Sequence, residues 1–331
     1  MALAFRRLAY FTAGFALFVI VVGAYVRLED AGLGCPDWPG CYGQLVGVPD
    51  QAHEIERAGA AFQKTVDVGR ARKEMFHRYI AGTLGLLIAA IAVMSWRGRA
   101  RLHQSPLLAS ALVLLVVFQA ALGMWTVTLL LKPAIVTLHL LGGMTTLALL
   151  TWLARRQSAA PGRAVGAAAL RLRGWAVLAL AIVFVQIALG GWVSANYAAL
   201  ACIDFPTCGG EWLPAMDFRH AFHLVRELGV TAAGAPLSHQ ALIAIQWTHR
   251  LGALITFVVV GTLALAALRV PPLRRYGCAL LALLFAQIAL GIANVLLRLP
   301  LAVAVTHNGV AAVLLGTLVM LNFALFRQSR R

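Results

Sequence analysis

Four of the nine histidines, His77, His139, His249 and His307, fall within or at the edge of long apolar runs. An imidazole in such a setting is costly and usually functional. The bland reading is that each ring hydrogen-bonds to a neighbouring helix as glue. Two per half is a different matter. His139 and His307 lie about six residues, some ~9 Å, inside their runs at 1.5 Å per residue, and His77 and His249 enter from the same side at the start of theirs. Two imidazoles at one level suit a haem held edge-on in a four-helix bundle with one His on each face. Zinc or copper also accepts imidazole, but two ligands in an apolar cage are too few. Gly82, Gly85, Gly142, Gly143, Gly252 and Gly309 leave room for a macrocycle, or equally serve ordinary helix packing. Arg78 and Arg250 directly follow their histidines and are candidates to pair with haem propionates; the alternative is snorkelling to the interface.

A second constellation is a pair of C-x5-C units, Cys35–Cys41 and Cys202–Cys208. The Pro and Asp inside each favour a tight turn that brings the sulfurs together. The product is a structural disulfide clip or a redox-active dithiol. Cys278 stands alone in the seventh run and is expected to pack. Glu74 lies three residues before His77, on the same helical face. The other half has Gln246 there, which cannot act as a base, so Glu74 is a candidate catalytic acid–base group. His220 and His223 fall in Phe218–Leu228, an amphipathic stretch expected to lie on the membrane surface. His53, His103 and His239 read as loop residues, and no nucleotide fingerprint, P-loop or catalytic triad is present.

The elements that must position these groups are membrane helices. The chain is 61% apolar and 12% charged, with a mean hydropathy of +0.83. Eight runs reach the about 20 residues a bilayer requires: Leu8–Val26, Phe76–Trp96, Leu107–Leu129, Ala134–Leu153, Trp175–Ser194, Gln240–Leu268, Tyr276–Leu296 and Ala302–Phe323. The first follows Arg6 and Arg7 but is too long for a signal-peptide core, so an uncleaved helix is expected. The net charge of +16 does not imply nucleic acid. Sixteen of the 28 Lys and Arg fall at the N-terminus, in the second-to-third and sixth-to-seventh loops, in the central linker and in the tail, where none of the 12 Asp and Glu falls. By the positive-inside rule both termini are cytoplasmic and the long loops, about 27–75 and 195–239, are external. The basic segments also suit anionic lipid head groups.

A shift of about 170 residues lays the second half on the first. Cys35-Pro-Asp-Trp-Pro-Gly-Cys41 matches Cys202-Ile-Asp-Phe-Pro-Thr-Cys208, and His77-Arg78 matches His249-Arg250. Gln119-Ala-Ala-Leu-Gly123 precedes His139 by twenty positions, as Gln287-Ile-Ala-Leu-Gly291 precedes His307. A third Gln-x-Ala-Leu-Gly runs from Gln186 to Gly190, while the first run keeps only Gly23. The expected fold is therefore all-α: eight transmembrane helices as two pseudo-symmetric four-helix bundles related by a parallel repeat. Residues 1–153 form one half, 154–174 a cytoplasmic linker and 175–331 the other.

At these residues the chain resembles the heme A synthase family over nearly its whole length. The match rests on Gly34-Cys-Pro-Asp-Trp-Pro-Gly-Cys41-Tyr-Gly, Glu74-Met-Phe-His77-Arg-Tyr-Ile-Ala-Gly82, Gln246-Trp-Thr-His249-Arg-Leu-Gly, and His139 and His307. The resemblance implies oxidation of the C8 methyl of haem O to the formyl of haem A for terminal cytochrome oxidases, in a bacterial inner membrane. It implies that His77 and His139 hold the substrate haem, and that His249 and His307 hold a haem b cofactor beside a Cys202–Cys208 disulfide. This chain keeps the first cysteine pair and so resembles the bacterial branch in which Cys35 and Cys41 are redox-active. Partners implied are a haem O synthase, oxidase assembly factors, an electron acceptor or quinone-linked chain, and a second copy of the chain. If both axial positions of the substrate iron are His, either one must leave or water attacks an oxidised methyl. Two rivals use similar residues: a bis-His di-haem cytochrome b, which predicts equivalent halves, and a haem transporter or chaperone, which predicts release without chemical change.

Overall fold

A computed structural model describes residues 1–102, 105–158 and 167–326. His103, Arg163, Arg327, Arg330 and Arg331 lie outside the described residues. Among the described residues, eight helices are long and apolar enough to cross a membrane: α1 (Ala2–Leu28), α2 (Val68–Arg97), α3 (Leu107–Thr128), α4 (Pro133–Ser158), α5 (Arg173–Ala195), α6 (His239–Leu268), α7 (Arg274–Leu296) and α8 (Leu301–Phe326). No strand occurs among the described residues; the loops hold isolated bridges such as Cys41–Gln44 and Cys208–Glu211.

Local chemistry sets the helix ends. Asp67 caps α2 by accepting from Arg70 N at 3.0 Å, and Ser238 caps α6 by accepting from Ala241 N at 3.2 Å. Pro133 opens α4, where its missing N–H has no partner to lose. The helices that run toward the long loops end on left-handed residues, with Asp30 after α1, Leu130 and Leu131 after α3, and Arg298 and Leu299 after α7. Each turn closes on a hydrogen bond five residues back, from Ala31 N to Val26 O, Leu131 N to Thr126 O and Leu299 N to Asn294 O. The closures after α3 and α7 return the chain into the next helix within a few residues, which puts His139 and His307 close below the loop end.

The helices pack in two rings, α1–α2–α3–α4 and α5–α6–α7–α8, each closing from its last helix onto its first. The rings meet through α1, α4, α5 and α8, and α8 is the most buried of the eight. One continuous apolar core runs through both, including Ile88, Leu112, Leu150, Leu263, Leu280 and Leu318. Outward residues such as Leu86, Leu114, Leu254 and Phe285 are exposed, as a lipid-facing surface requires.

Two expectations need correction. Helix α2 starts eight residues before the apolar run, at Val68, because Arg70, Arg72, Lys73 and Glu74 extend it by two polar turns. His77 and His249 therefore sit nine and ten residues into their helices and not at the starts. Of the stretch Phe218–Leu228 only Phe218–Ala221 is helical, and the remainder is turns.

Candidate functional site

The two cysteine units form matching loops at one end of the bundle. Cys35–Cys41 and Cys202–Cys208 are disulfides, each with a Cα–Cα distance of 4.8 Å, and all four cysteines are buried. The aspartate inside each unit folds the turn. Asp37 accepts from Tyr42 N (2.6 Å) and Gly43 N (2.8 Å), and Asp204 from Gly209 N (2.7 Å), Gly210 N (3.0 Å) and the Thr207 hydroxyl (2.6 Å). The Thr207 hydroxyl, then the Gly210 and Gly209 N–H groups, pull the Asp204 carboxyl down to about 2.

A helix below holds each loop by two side chains. Glu74 accepts from Cys35 N at 2.8 Å and pairs with Arg78 at 2.5 Å. Arg78 also donates to the carbonyls of Asp37 (2.9 Å), Pro39 and Gly40. In the second half Gln246 accepts from Cys202 N and donates to Ala199 O (2.6 Å), while Arg250 donates to the carbonyls of Thr207 (2.8 Å), Asp204 (2.8 Å) and Cys202 (3.1 Å). The guanidinium groups, expected at propionates, thus clamp the cysteine loops. Glu74 is buried, as its position before His77 suggested, but its carboxylate is turned to the loop backbone.

Below the clamps lie the four imidazoles. His77 is within electrostatic reach of His139, and His249 of His307. Each ring packs edge-on against a glycine of the preceding long helix. A Cβ placed at Gly23 would stand 2.9 Å from His77 Cε1; at Gly123, 3.5 Å from His139 Cε1; at Gly190, 3.1 Å from His249 Cε1; and at Gly291, 3.2 Å from His307 Cε1. The Gln-x-Ala-Leu-Gly repeat carried this signal, because its glycine is the residue that admits the ring. Of the glycines expected to make room for a macrocycle, Gly142 and Gly252 are filled instead by the side chains of Gln119 and Gln186. Gly143 and Gly309 pack against Ile20 and Val21, and Gly82 and Gly85 have no neighbour within 4 Å.

The rings also fit a metal. His77, His139 and His307 each keep a buried Nδ1 with no hydrogen-bond partner, and Gln186 and Gln287 approach ring nitrogens of His249 (3.1 Å) and His307 (3.2 Å). His307 combines an unpartnered buried ring nitrogen with an amide-oriented one, as an axial ligand with outer-shell support requires, and the unpartnered Nδ1 of His77 and His139 is a buried polar atom that wants a partner. Among the described residues no three His, Cys, Asp or Glu side chains gather as a metal cluster. Outside this region, His220 meets Asp217 at 2.7 Å, His223 is exposed, and Cys278 is exposed on α7 where packing was expected.

Eight apolar helices in two rings, each with a half-buried histidine pair beneath a clamped disulfide loop, define among the described residues a polytopic helical membrane protein with two comparable sites. The chain belongs to the COX15-CtaA family of cytochrome oxidase assembly proteins, whose model matches residues 6–319. It is 44% identical over 328 residues to a protein of Shewanella oneidensis named heme A synthase, covering 96% of each chain. It is 31% identical over 336 residues to a heme A synthase of Methylobacterium radiotolerans, covering 94% of this chain and 87% of that one. A heme A synthase of Halalkalibacterium halodurans matches at 28% over 239 residues, 70% of this chain and 72% of that one.

Proposed function

We propose that the chain is a heme A synthase, an oxidoreductase that converts the C8 methyl group of haem O to a formyl group for a terminal cytochrome oxidase. The observation that carries this reading is the duplicated histidine cage in a chain of an oxidase-assembly family. When water supplies the oxygen, methyl plus water gives formyl, four protons and four electrons. That balance requires an acceptor for the four electrons, a path to which the second histidine pair would supply.

His77 and His139, within residues 1–153, hold the iron of the substrate. His249 and His307, within 175–331, hold haem b, and residues 154–174 join the halves. Haem b, when bound, supplies one-electron transfer toward an acceptor such as a quinone-linked chain. Glu74, one turn from His77, is engaged by Cys35 N and Arg78, and from there its carboxylate would accept a proton from water or stabilise positive charge on the reacting methyl. Arg78 and Arg250 close the loops over the cages; the buried Arg250 Nε has no partner and is free to donate to a propionate. Cys35 and Cys41 act as the redox-active pair. The loop end faces outward, with both termini cytoplasmic, because the basic residues collect at the opposite end of the chain's turns. A haem O synthase is the natural upstream partner.

The test is chromatography of extracted pigment after expression beside a source of haem O. Haem A supports the synthase. Haem b alone supports an electron-transfer cytochrome, and unchanged haem O that is bound and released supports a carrier.

A further inference from the structure

The four imidazoles are not held alike. The Gln186 amide lies 3.1 Å from His249 Nδ1 and also donates to His249 O at 3.0 Å. The Gln287 amide lies 3.2 Å from His307 Nε2. The His139 ring makes no hydrogen bond among the described residues and its Nδ1 is buried without a partner, but the Gln119 side chain fills the space beside Gly142, three residues further along the same helix. The His77 ring likewise makes no hydrogen bond, and its Nδ1 is buried without a partner.

The difference is built into two helices at once. Gly23 and Gly190 are 167 positions apart and occupy the same place against His77 and His249. At that offset the counterpart of Gln186 is Val19, which is buried. Three residues after His249 stands Gly252, where any Cβ would collide with the Gln186 amide. Three residues after His77 stands Ile80, packed against the same core as Val19. An amide and the glycine that admits it are replaced together by two aliphatic side chains. The replacement keeps the space filled and removes the hydrogen bond to the ring.

We propose that His77 is the exchangeable ligand of the substrate haem, the imidazole whose flanking amide and its admitting glycine are replaced by aliphatic side chains. The inference rests on the assignment of His77 and His139 to the substrate above. A ring leaves a metal by tilting or rotating about Cβ–Cγ, a broad and soft torsion. A polar partner on the ring opposes that motion and fixes its orientation. A resident cofactor is best held by two such anchored rings. A substrate that enters as one haem and departs as another needs an axial ligand that gives way, and packing against Gly23 restrains His77 far less directionally than an amide would. Gln186 is in these terms a positioning residue for His249.

The experiment uses the full chain in detergent, loaded with haem O, reduced, and mixed with carbon monoxide. The wild type should bind carbon monoxide at the substrate haem and not at the resident one. Val19→Gln with Ile80→Gly transplants the second-half pair onto His77 and should slow that binding by about tenfold, the factor worth one hydrogen bond to a buried group. The low-spin spectrum of the resident haem reports that the variant is folded. The reverse exchange, Gln186→Val with Gly252→Ile, should make the resident haem reactive, and it keeps the test decisive if the first variant fails to fold. Unchanged rates in either folded variant overturn the proposal. Failure of the functional reading looks different: the wild type would then neither retain haem O nor form haem A.

Discussion

Glu74 and Gln246 do one structural job, each accepting a hydrogen bond from the backbone N–H of the first cysteine in its loop. They differ in charge and in the second partner, Glu74 pairing with Arg78 and Gln246 donating to Ala199 O. Glu74→Gln should therefore keep the loop anchored, since the second half already runs on the amide, and should keep both haems. Haem A formation should fall by about a hundredfold, the lower range for a positioned acid–base group. A wild-type rate would reduce the carboxylate to a loop anchor. Glu74→Ala should in addition lower stability by about 1–3 kcal/mol, because Cys35 N is left buried and unpaired.

Glycine-to-alanine changes test the ring contacts directly. Gly23→Ala puts a methyl 2.9 Å from His77, and Gly190→Ala puts one 3.1 Å from His249. Overpacking of this kind costs about 1–3 kcal/mol or displaces the ring. The first should weaken substrate-haem retention and the second should lower the content of resident haem. Gly14→Ala, with no neighbour within 4 Å, should change neither. Absorption spectra of the purified variants decide it.

The histidines themselves should separate into pairs. His249→Ala and His307→Ala should remove the resident haem, whereas His77→Ala and His139→Ala should spare it and abolish haem A production. Loss of one and the same haem in all four would leave a single site.

Thiol trapping in intact membranes should find Cys35–Cys41 partly reduced and Cys202–Cys208 oxidised, since labile and structural bridges differ in reducibility. Both pairs are equally buried, so equal locking would assign both to structure.

Asp204 carries a pH prediction. Its carboxyl is held at about 2 against an ordinary 3.8, so the folded loop favours the charged form. Stability from this source is present above pH 3.8 and is lost as the pH falls toward 2. Amide exchange at Gly209 and Gly210 should stay slow down to about pH 4 and accelerate below it. Asp204→Asn should remove that acid step.

Much of this molecule is legible in the sequence, for a physical reason. A bilayer makes each span a long apolar run, and duplication repeats each cysteine unit and each histidine in order. What was hidden depends on side chains reaching across space. The first two turns of α2 are polar, so hydropathy places the helix start at Phe76 instead of Val68. Arg78 meets carbonyls 38 to 41 positions earlier, and nothing in local composition announces that its guanidinium closes a loop. Gly142 and Gly252 look like space for a ligand until the glutamines on adjacent helices are seen filling it. In Phe218–Leu228 the apolar spacing suggested a surface helix, but the chain there is spent on loop contacts, with Arg226 bonded to Asn196 and to Val230 O.

At the loop end the two halves touch through Asp30 and Tyr197, the Tyr197 hydroxyl donating to Asp30 Oδ1 at 2.8 Å. Arg27 bonds to the same hydroxyl at 3.0 Å and lies over the ring at 4.3 Å. Asp30 and Tyr197 are separated by 167 positions, the offset that also relates Cys35 to Cys202. In a pair of identical half-length chains, position 30 of one copy would meet its own twin, carboxylate against carboxylate or phenol against phenol. A carboxylate can face a phenol here because the two halves carry different residues at that place. Fusion is thus what permits a seam of complementary, unlike residues, and what frees each half to specialise without spoiling its fit to the other.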